Sequence, residues 1–544
     1  MAVESDERRF CEIMKSRMLI LFLWVAFFTG WTGLAHGLSF RIATYNVENL
    51  FDMRLDRTDY PEYRPGNPQG WTPAMMAAKV ENIAAVIDDL DAEIVALQEI
   101  ESQTALMLLQ EALCRRGVIY PHAAIAEESH TPVKCAVLSR FPFFSKKEIS
   151  TGSAGDRDIL KIGVDIAGHP LVLYVNHWKS KSGPESRRLA YARALAADIS
   201  TLEPGTDFIL TGDFNSDYNE YETFEDQDRL NDTRGITGIN HVLGTLGQGR
   251  LVDEALLTSS EKDRLLYNLW LEVPEPRRWS VNFFGRKNSP DAILIPKSLY
   301  DGVGIAYVDN SFDKFDPDYL FDDQKVFRWQ RTDNGKGRHT GHGYSDHLPV
   351  FAEFTTAPFQ WKASVAFTLA EPVEVRIADL YALKEGSVNV RLRNAVVIYK
   401  HLDSAVIKEK NGRAVFIYKV AGKLEPKTAY DLTVTELNRH YGNLEITGVR
   451  DIRRAGQAEE LKAFYMTEPE SDFAGPGFQN EVIAEIRGVY ENGWFYYGDD
   501  RKIRIYFSEK RLTPGNFSTI TLCYVRIGYH GHPEVIVEKP GQIR

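Results

Sequence analysis

From residue 39 to about 355, short apolar runs alternate with segments whose apolar residues recur at every third or fourth position. In "AAKVENIAAVIDDL", Val80, Ile83, Ile87 and Leu90 fall on one helical face, and "RRLAYARALAADI" repeats the theme. Between and after them, "FRIATYNV", "EIVALQEI", "KCAVLSRF", "ILKIGVDI", "LVLYVNHW", "DFILTGDF", "DAILIP" and "LPVFAEF" read as strands. Helices separate only some of these strands. That argues against a regular βα alternation and predicts two packed mixed sheets covered by helices.

Beyond residue 360 the pattern becomes almost purely that of strands. The stretch from Val415, "VFIYK" through "LEPKTAYDLTVTELNRHYGNLEITGV", is echoed from Ile503 by "IRIYF" through "LTPGNFSTITLCYVRIGYHGHPEVIVE". Each copy has an aromatic-bearing strand, a Leu-x-Pro turn, a second strand, a Gly-containing turn and a third strand. A repeat of about 90 residues predicts two small OB-like β-barrels in tandem. The expected boundaries are 38–358 for the α/β domain, 359–467 and 480–544 for the barrels, and a linker at 468–479, "EPESDFAGPGFQ".

The first 37 residues stand apart. "MLILFLWVAFF", residues 18–28, is preceded by the basic "MKSR" and followed by "TGWTGLAHG", the layout of an export signal cleaved after Gly37. Its apolar run of 11 residues falls short of the roughly 20 that span a bilayer, so no stable membrane span is expected. Retention of the signal would instead anchor the N-terminus. The charged run before Met14 is unlike a signal, and Met14 is the expected start. The expected location is periplasmic or secreted. Of the four cysteines, Cys11 falls before the cleavage point, and no CxxC or Cys/His cluster suggests zinc. A formal charge of −12 excludes a protein that coats nucleic acid by bulk electrostatics, so any polyanion must be met by local basic patches.

Polar residues concentrate at the strand ends: Asn46 in "ATYNVENLFD", Glu99 in "VALQEIE", Asn176 and His177 in "YVNHWKSK", Asp213 and Asn215 in "LTGDFNSD". Asp291, Asp346 and His347 precede their strands instead. If those last two strands run antiparallel to the earlier ones, all these positions meet along one rim of the two sheets.

The ordered set "YNVENLFD", "LQEIE", "NHWKSK", "GDFNSD", "DAIL" and "SDHLPV" resembles the endonuclease/exonuclease/phosphatase superfamily, the DNase I-like fold, over residues 39–355. The resemblance implies a four-layer α/β (α+β) sandwich of two mixed sheets flanked by helices, and hydrolysis of a phosphoester with a divalent metal. It implies that Asp213 orients and deprotonates water, Asn215 donates to a phosphate oxygen, His347 stabilises developing charge with Asp291 orienting it, and His177 binds phosphate or assists the leaving oxygen. Arg157 and Asn176 are expected against phosphate. Which group is the general base stays open. Carboxylate and amide oxygens without a thiolate suit magnesium or manganese, with Glu99 as first ligand and Asn46 and Asp346 near the same ion. Ala292, after Asp291, replaces the larger residue more usual there and puts the packing behind His347 in question.

Substrate is read from local charge. "PEPRRWSVNFFGRKN" mixes Arg277 and Arg278 with Trp279, and "KVFRWQRTDNGKGRHTGH" sets Arg328, Trp329 and Arg331 just ahead of Asp346. Interleaved basic and aromatic side chains suit a nucleic-acid strand. In the second barrel, "NGWFYYGDDRKIRIYF" places Trp494, Phe495, Tyr496 and Tyr497 beside Lys502 and Arg504. The expected activity is that of an exported endonuclease acting on DNA or RNA. The alternatives are a phosphodiesterase or phosphatase for lipid or inositol headgroups, and a nucleic-acid- or glycan-binding protein with an inactive catalytic domain.

Overall fold

Helix α1 (Pro73–Leu90) begins where the chain supplies both a cap and a preset φ: the Thr72 hydroxyl accepts from the Met75 amide, and Pro73 opens the first turn. It stops at Asp91, which turns into the left-handed region at φ 44°. Val80, Ile83, Ile87 and Leu90 are buried along one side, as their spacing predicts. With Leu106, Leu109 and Leu113 of α2 (Gln103–Arg115), they cover the outer face of a sheet.

The computed structural model describes residues 37–544 except 57, 129, 225–229, 261–263, 284, 323–324, 363–370, 459, 467–472, 474 and 499–500. The expected export signal therefore lies outside the described residues. No described helix is long and apolar enough to cross a membrane. The chain divides into two compact units that part at residues 366 and 367.

The strands of the first unit's two main sheets are β1 (Ser39–Leu50), β2 (Ile94–Ile100), β3 (His122–Ile125), β4 (Lys134–Ser139), β5 (Phe143–Ile149), β6 (Ile159–Ile166), β7 (His169–His177), β8 (Phe208–Asp213), β9 (Tyr267–Asn268), β10 (Asp291–Ile295), β11 (Ala306–Tyr307), β12 (Asp313–Lys314) and β13 (Val350–Thr355). They form a seven-stranded sheet of order β11-β13-β1-β2-β4-β3, with β12 also on β13, and a six-stranded sheet of order β9-β10-β8-β7-β6-β5. Phe40, Ile42, Ala96 and Val137 of the first sheet meet Ile162, Leu173, Val175, Leu210 and Ile293 of the second in one core. Each fully buried Leu, Ile or Val there stabilises the fold by about 1.5–3 kcal/mol. Helix α3 (Glu185–Ile199) closes the outer face of the second sheet. Its Asp198 takes Lys147, Lys161 and Tyr174, one from each of β5, β6 and β7, at 2.5, 2.6 and 2.8 Å. The layers run helix, sheet, sheet, helix, as the resemblance implies.

Strand direction decides where the polar ends go. β1 and β2 are parallel, as are β7 and β8. β10 is antiparallel to β8, pairing Asp291 with Asp213, and β13 is antiparallel to β1. The C-terminal ends of the early strands and the N-terminal ends of β10 and β13 therefore share one rim. Ala292 is fully buried opposite Gly212. At Gly212, φ +127°, a Cβ would fall 2.1 Å from the Asn176 carbonyl oxygen, so only glycine lets β8 lie this close to β7 just before Asp213.

The second unit contains two five-stranded rings. Strands β14 (Gly386–His401), β15 (Ser404–Lys408), β16 (Ala414–Ile417), β17 (Thr428–His440) and β18 (Asn443–Gln457) close in the order β14-β15-β16-β18-β17 and back to β14. Strands β19 (Val482–Glu491), β20 (Trp494–Tyr497), β21 (Arg501–Phe507), β22 (Ser518–Tyr529) and β23 (Pro533–Val537) close as β19-β20-β21-β23-β22. In both rings the third and fifth strands are parallel. Val415 and Ile503, where the two echoing sequences start, both lie in a third strand. In the stretch expected as a linker, Phe473 enters the second barrel's core. Gln479 is buried, accepting from the Leu444 amide and donating to the Gly442 carbonyl.

Candidate active site

Two bulges aim the first groups at the rim. β1 and β2 lose register between Asn46 and Leu50, and β2 and β4 lose it between Leu97 and Ile100. Within them Glu48 and Glu99 adopt φ 50° and 67°, a left-handed conformation that costs about 1–3 kcal/mol for a non-glycine residue and turns both carboxylates inward. Asn215 does the same after β8, at φ 48°.

Asp291 and His347 form a dyad: His347 Nδ1 lies 2.8 Å from Asp291 Oδ2, which also accepts from Ser280 Oγ at 2.5 Å. The Ser345 hydroxyl holds the loop, accepting from the His347 amide and donating to the Asn46 carbonyl. Burial works against a charged imidazole, but Asp291, Asp213 and Asp346 outweigh it and hold His347 well above its ordinary range as an imidazolium. Asp213 is 2% exposed. Its carboxylate accepts from the Asn215 amide at 2.8 Å, from Asn46 Nδ2 at 3.1 Å and from Asn215 Nδ2 at 3.2 Å. Burial, with Asp291 beside it, raises its pKa against the pull of His347. His177 Nε2 stands 3.7 Å from Glu99 Oε1 and 3.6 Å from Asp213 Oδ2. Burial, then Arg157 and His347, keep His177 neutral.

Glu99 is raised by burial and by Asp346, which Arg157 and His347 only partly offset. Glu99 and Asp346 are oxygen donors close enough to interact, the kind of donor a hard divalent ion takes. Asn46 turns Nδ2 to Glu99 (3.3 Å) and Asp213, while Oδ1 accepts from the Glu48 amide, so it bridges the two carboxylates as a donor. Arg157 Nη1 and Asn215 Nδ2 each donate to the Trp178 carbonyl at 3.0 Å, which sets both at the rim.

Other expectations are corrected. Asn176 is fully buried; its amide donates to the Tyr174 and Thr211 carbonyls and accepts from Trp178 Nε1, leaving no capacity for phosphate. Trp329 is 3% exposed, packs edge-on to Trp71 and donates to His339 Nδ1. Trp279 is 8% exposed beneath the Lys314 ammonium, 3.5 Å from its ring centroid. Neither ring is free to stack on a base. Arg278 donates to the Val273 and Leu271 carbonyls, and Arg331 to the Gly337 carbonyl with Glu62 beside it. Arg277 and Arg328 pair with Asp313 and Glu48 yet keep 46% and 49% of their side chains exposed.

Three participants went unread in the sequence. Glu48 accepts from Arg328 Nε and the Trp329 amide; burial and Asp346 push it up to about 7. Lys79, fully buried on α1, donates to the Tyr344 carbonyl, and burial lowers it to about 8. Its signal was available: a lysine four residues before Ile83 interrupts the apolar face. Tyr60 shares Arg157 with the rim, and burial raises its phenol.

Among solved structures the chain is similar to humanized D. rerio TDP2 with 14 mutations (15% identity over 58% of this chain and 98% of that one, TM-score 0.37). It is likewise similar to an endonuclease/exonuclease/phosphatase family protein from Bacteroides thetaiotaomicron (14%, 59% and 98%, TM-score 0.35) and to SmcL (17%, 58% and 99%, TM-score 0.35). No curated protein matches it. Residues 43–321, just over half of the chain, match a known family, and the remaining rim residues Asp346 and His347 reach the same site through the pairing of β13 with β1. The chain belongs to the Endonuclease/Exonuclease/phosphatase family, and it is a metal-dependent phosphoester hydrolase.

Proposed function

We propose that the protein is an exported phosphodiesterase that uses magnesium or manganese and cleaves nucleic acid, DNA or RNA, as an endonuclease. The observation that carries the chemistry is the meeting of the Asp291–His347 pair, His177 and Asp213 on one rim. An imidazolium at His347, a neutral His177 and the carboxylate of Asp213 stand side by side in a buried setting. Asp213, held by three donors, accepts the proton of an incoming water. His347, fixed by Asp291, faces the oxygens on which negative charge builds. Arg157 orients a phosphate, Asn215 spends its amide protons on the Trp178 carbonyl and Asp213 and so fixes that carboxylate, and His177 lies between Glu99 and Asp213 where it can donate to a phosphoryl oxygen. Glu99 and Asp346 would hold the ion, which when bound neutralises phosphate charge.

Nucleic acid is favoured by the outward face of the second barrel. Trp494 pairs across strands with Arg504, and Tyr496 with Lys502. The Arg504 and Lys502 cations lie 4.2 and 4.8 Å from the Trp494 ring centroid. Partly exposed rings beside cations offer stacking and phosphate pairing together. Phe495 and Tyr497, by contrast, point into the core.

The test is cleavage of plasmid and short oligonucleotides with magnesium, run beside sphingomyelin and inositol-phosphate hydrolysis. Nicked and linear plasmid is the expected product; headgroup release with intact nucleic acid would overturn the assignment of substrate. Export is tested by fractionating cells that express the full chain, with a shortened mature product outside the cytoplasm as the expected result.

A further inference from the structure

Away from the rim, the first unit gathers a second set of carboxylates, one buried and two partly buried, that the hydrolytic chemistry does not use. Glu254 opens the short helix Glu254–Ser259, Glu272 ends the turn Leu269–Glu272, and Asp309 follows β11. One oxygen from each lies within 4.8 Å of the others. Tyr300 donates to Glu254 Oε1 at 3.0 Å, Tyr307 to Glu272 Oε2 at 2.5 Å, and the Lys362 amide to Asp309 Oδ2 at 2.7 Å. These donors account for one oxygen of each group. The other oxygens of Asp309 and Glu272, Oδ1 and Oε1, are buried without a hydrogen-bond partner, and Asp309 as a whole is 1% exposed.

We propose that Glu254, Glu272 and Asp309 form a calcium site that staples three segments of the catalytic unit. Three carboxylates this close cannot all ionise in a buried setting unless a cation joins them. Among the described residues no lysine or arginine pairs with any of the three; their partners are phenols, backbone amides and, between Glu254 and Asp309, each other. One shared proton between Glu254 and Asp309 would still leave Glu272 Oε1 orphaned, whereas one ion takes an oxygen from each. The direction of titration agrees. Burial, then the hydrogen bond to Asp309, raises Glu254, and burial pushes Glu272 up to about 8, as expected for groups that lack their counter-charge. The donors are all hard oxygens without histidine or thiolate, which suits calcium or magnesium. Calcium is the better match because it tolerates irregular and bidentate carboxylate geometry, while magnesium demands an octahedron and retains several waters that would have to fit among Tyr267, Tyr300 and Tyr307.

The site is distinct from the rim. Tyr307 pairs with Phe354, near the end of β13 remote from His347, and the Val308 amide donates to the Glu353 carbonyl. Its role is to hold loops, by binding the folded chain and not the unfolded one.

The surrounding tyrosines make terbium, a calcium surrogate, the natural probe. In the full chain carrying Glu99→Gln, which weakens the rim's own ion site, tyrosine-excited terbium emission should saturate at one ion and be displaced by calcium. The double change Glu272→Gln with Asp309→Asn should abolish it. In parallel, about 1 mM calcium should raise the Tm of the natural chain by several degrees and leave that of the double variant unmoved. Emission and calcium-dependent stabilisation that persist in the double variant would overturn the proposal, as would a natural chain that shows neither, since the trio would then be held by protons. Should the double variant not fold, Glu272→Gln alone decides: it keeps the side-chain volume, and an undiminished terbium signal rules the site out.

Discussion

His347 and Asp291 meet from different sheets: the histidine stands just before β13 in the first, the aspartate at the head of β10 in the second, and 2.8 Å separates Nδ1 from Oδ2. The charge of the imidazolium thus depends on a carboxylate delivered by the opposite half of the sandwich.

His347→Ala should lower kcat by about three orders of magnitude, because it removes a cation used in the transition state, and it should also lower Tm, because it leaves the buried Asp291 without its counter-charge. Asp291→Asn, which keeps the shape but removes the counter-charge, should fall between natural and His347→Ala. The double variant should be no worse than His347→Ala alone. Steady-state kinetics on a small phosphodiester reads all three, and additive losses would mean that the two residues act separately.

Removal of divalent ions by EDTA should abolish turnover, and magnesium or manganese should restore it. Glu99→Gln should raise the magnesium concentration for half-maximal rate at least tenfold, on the order expected for a lost carboxylate ligand. An unchanged magnesium requirement would place the ion elsewhere.

Trp329→Ala should behave as a core mutation. The ring is buried against Trp71 and Tyr63 and bonded to His339, so its loss should cost about 3–5 kcal/mol of stability. Oligonucleotide affinity, measured where the variant is still folded, should be unchanged. A large loss of affinity at constant Tm would restore the stacking role expected from the sequence.

Stability without metal should fall as pH rises. Burial pushes Glu101 up to about 8, Asp207 to about 7 and Glu445 to about 7, all far above carboxyl groups in an unfolded chain. Between the unfolded and folded values the native state binds more protons, so ∂ΔG/∂pH is negative. Their contribution is complete at low pH and lost as the folded pKa values are passed. Urea midpoints in EDTA should therefore decline from about pH 5 to about pH 8. A midpoint that rises over that window would show these groups to be ionised and paired.

Much of the rim was legible because its residues sit at strand ends, where hydrophobic alternation breaks and a polar side chain stands out. Asp213 and Asp291 needed only the strand directions to be brought opposite each other. What the sequence could not show was how much of a side chain's bonding capacity the fold consumes. Asn176, Arg278 and Trp329 have the chemistry of binding residues, yet backbone carbonyls and neighbouring rings claim each of them. That Asn46 also links Glu99 to Asp213 through Nδ2 is visible only in its contacts. The trio of Glu254, Glu272 and Asp309 comes from three segments with no shared motif, so nothing in their spacing announces it.

β1 lies between β2 and β13, and its entry is tied down by the Leu38 amide donating to the Thr356 hydroxyl, 318 residues away. On the ribosome, at about 5–20 residues per second, that strand waits some tens of seconds with one edge open before its partner exists. His347 arrives on the same late segment. The nascent chain consequently carries an unfinished sheet and an incomplete catalytic set for most of its synthesis, and hydrolytic competence switches on only when the last strand of the sandwich closes the first.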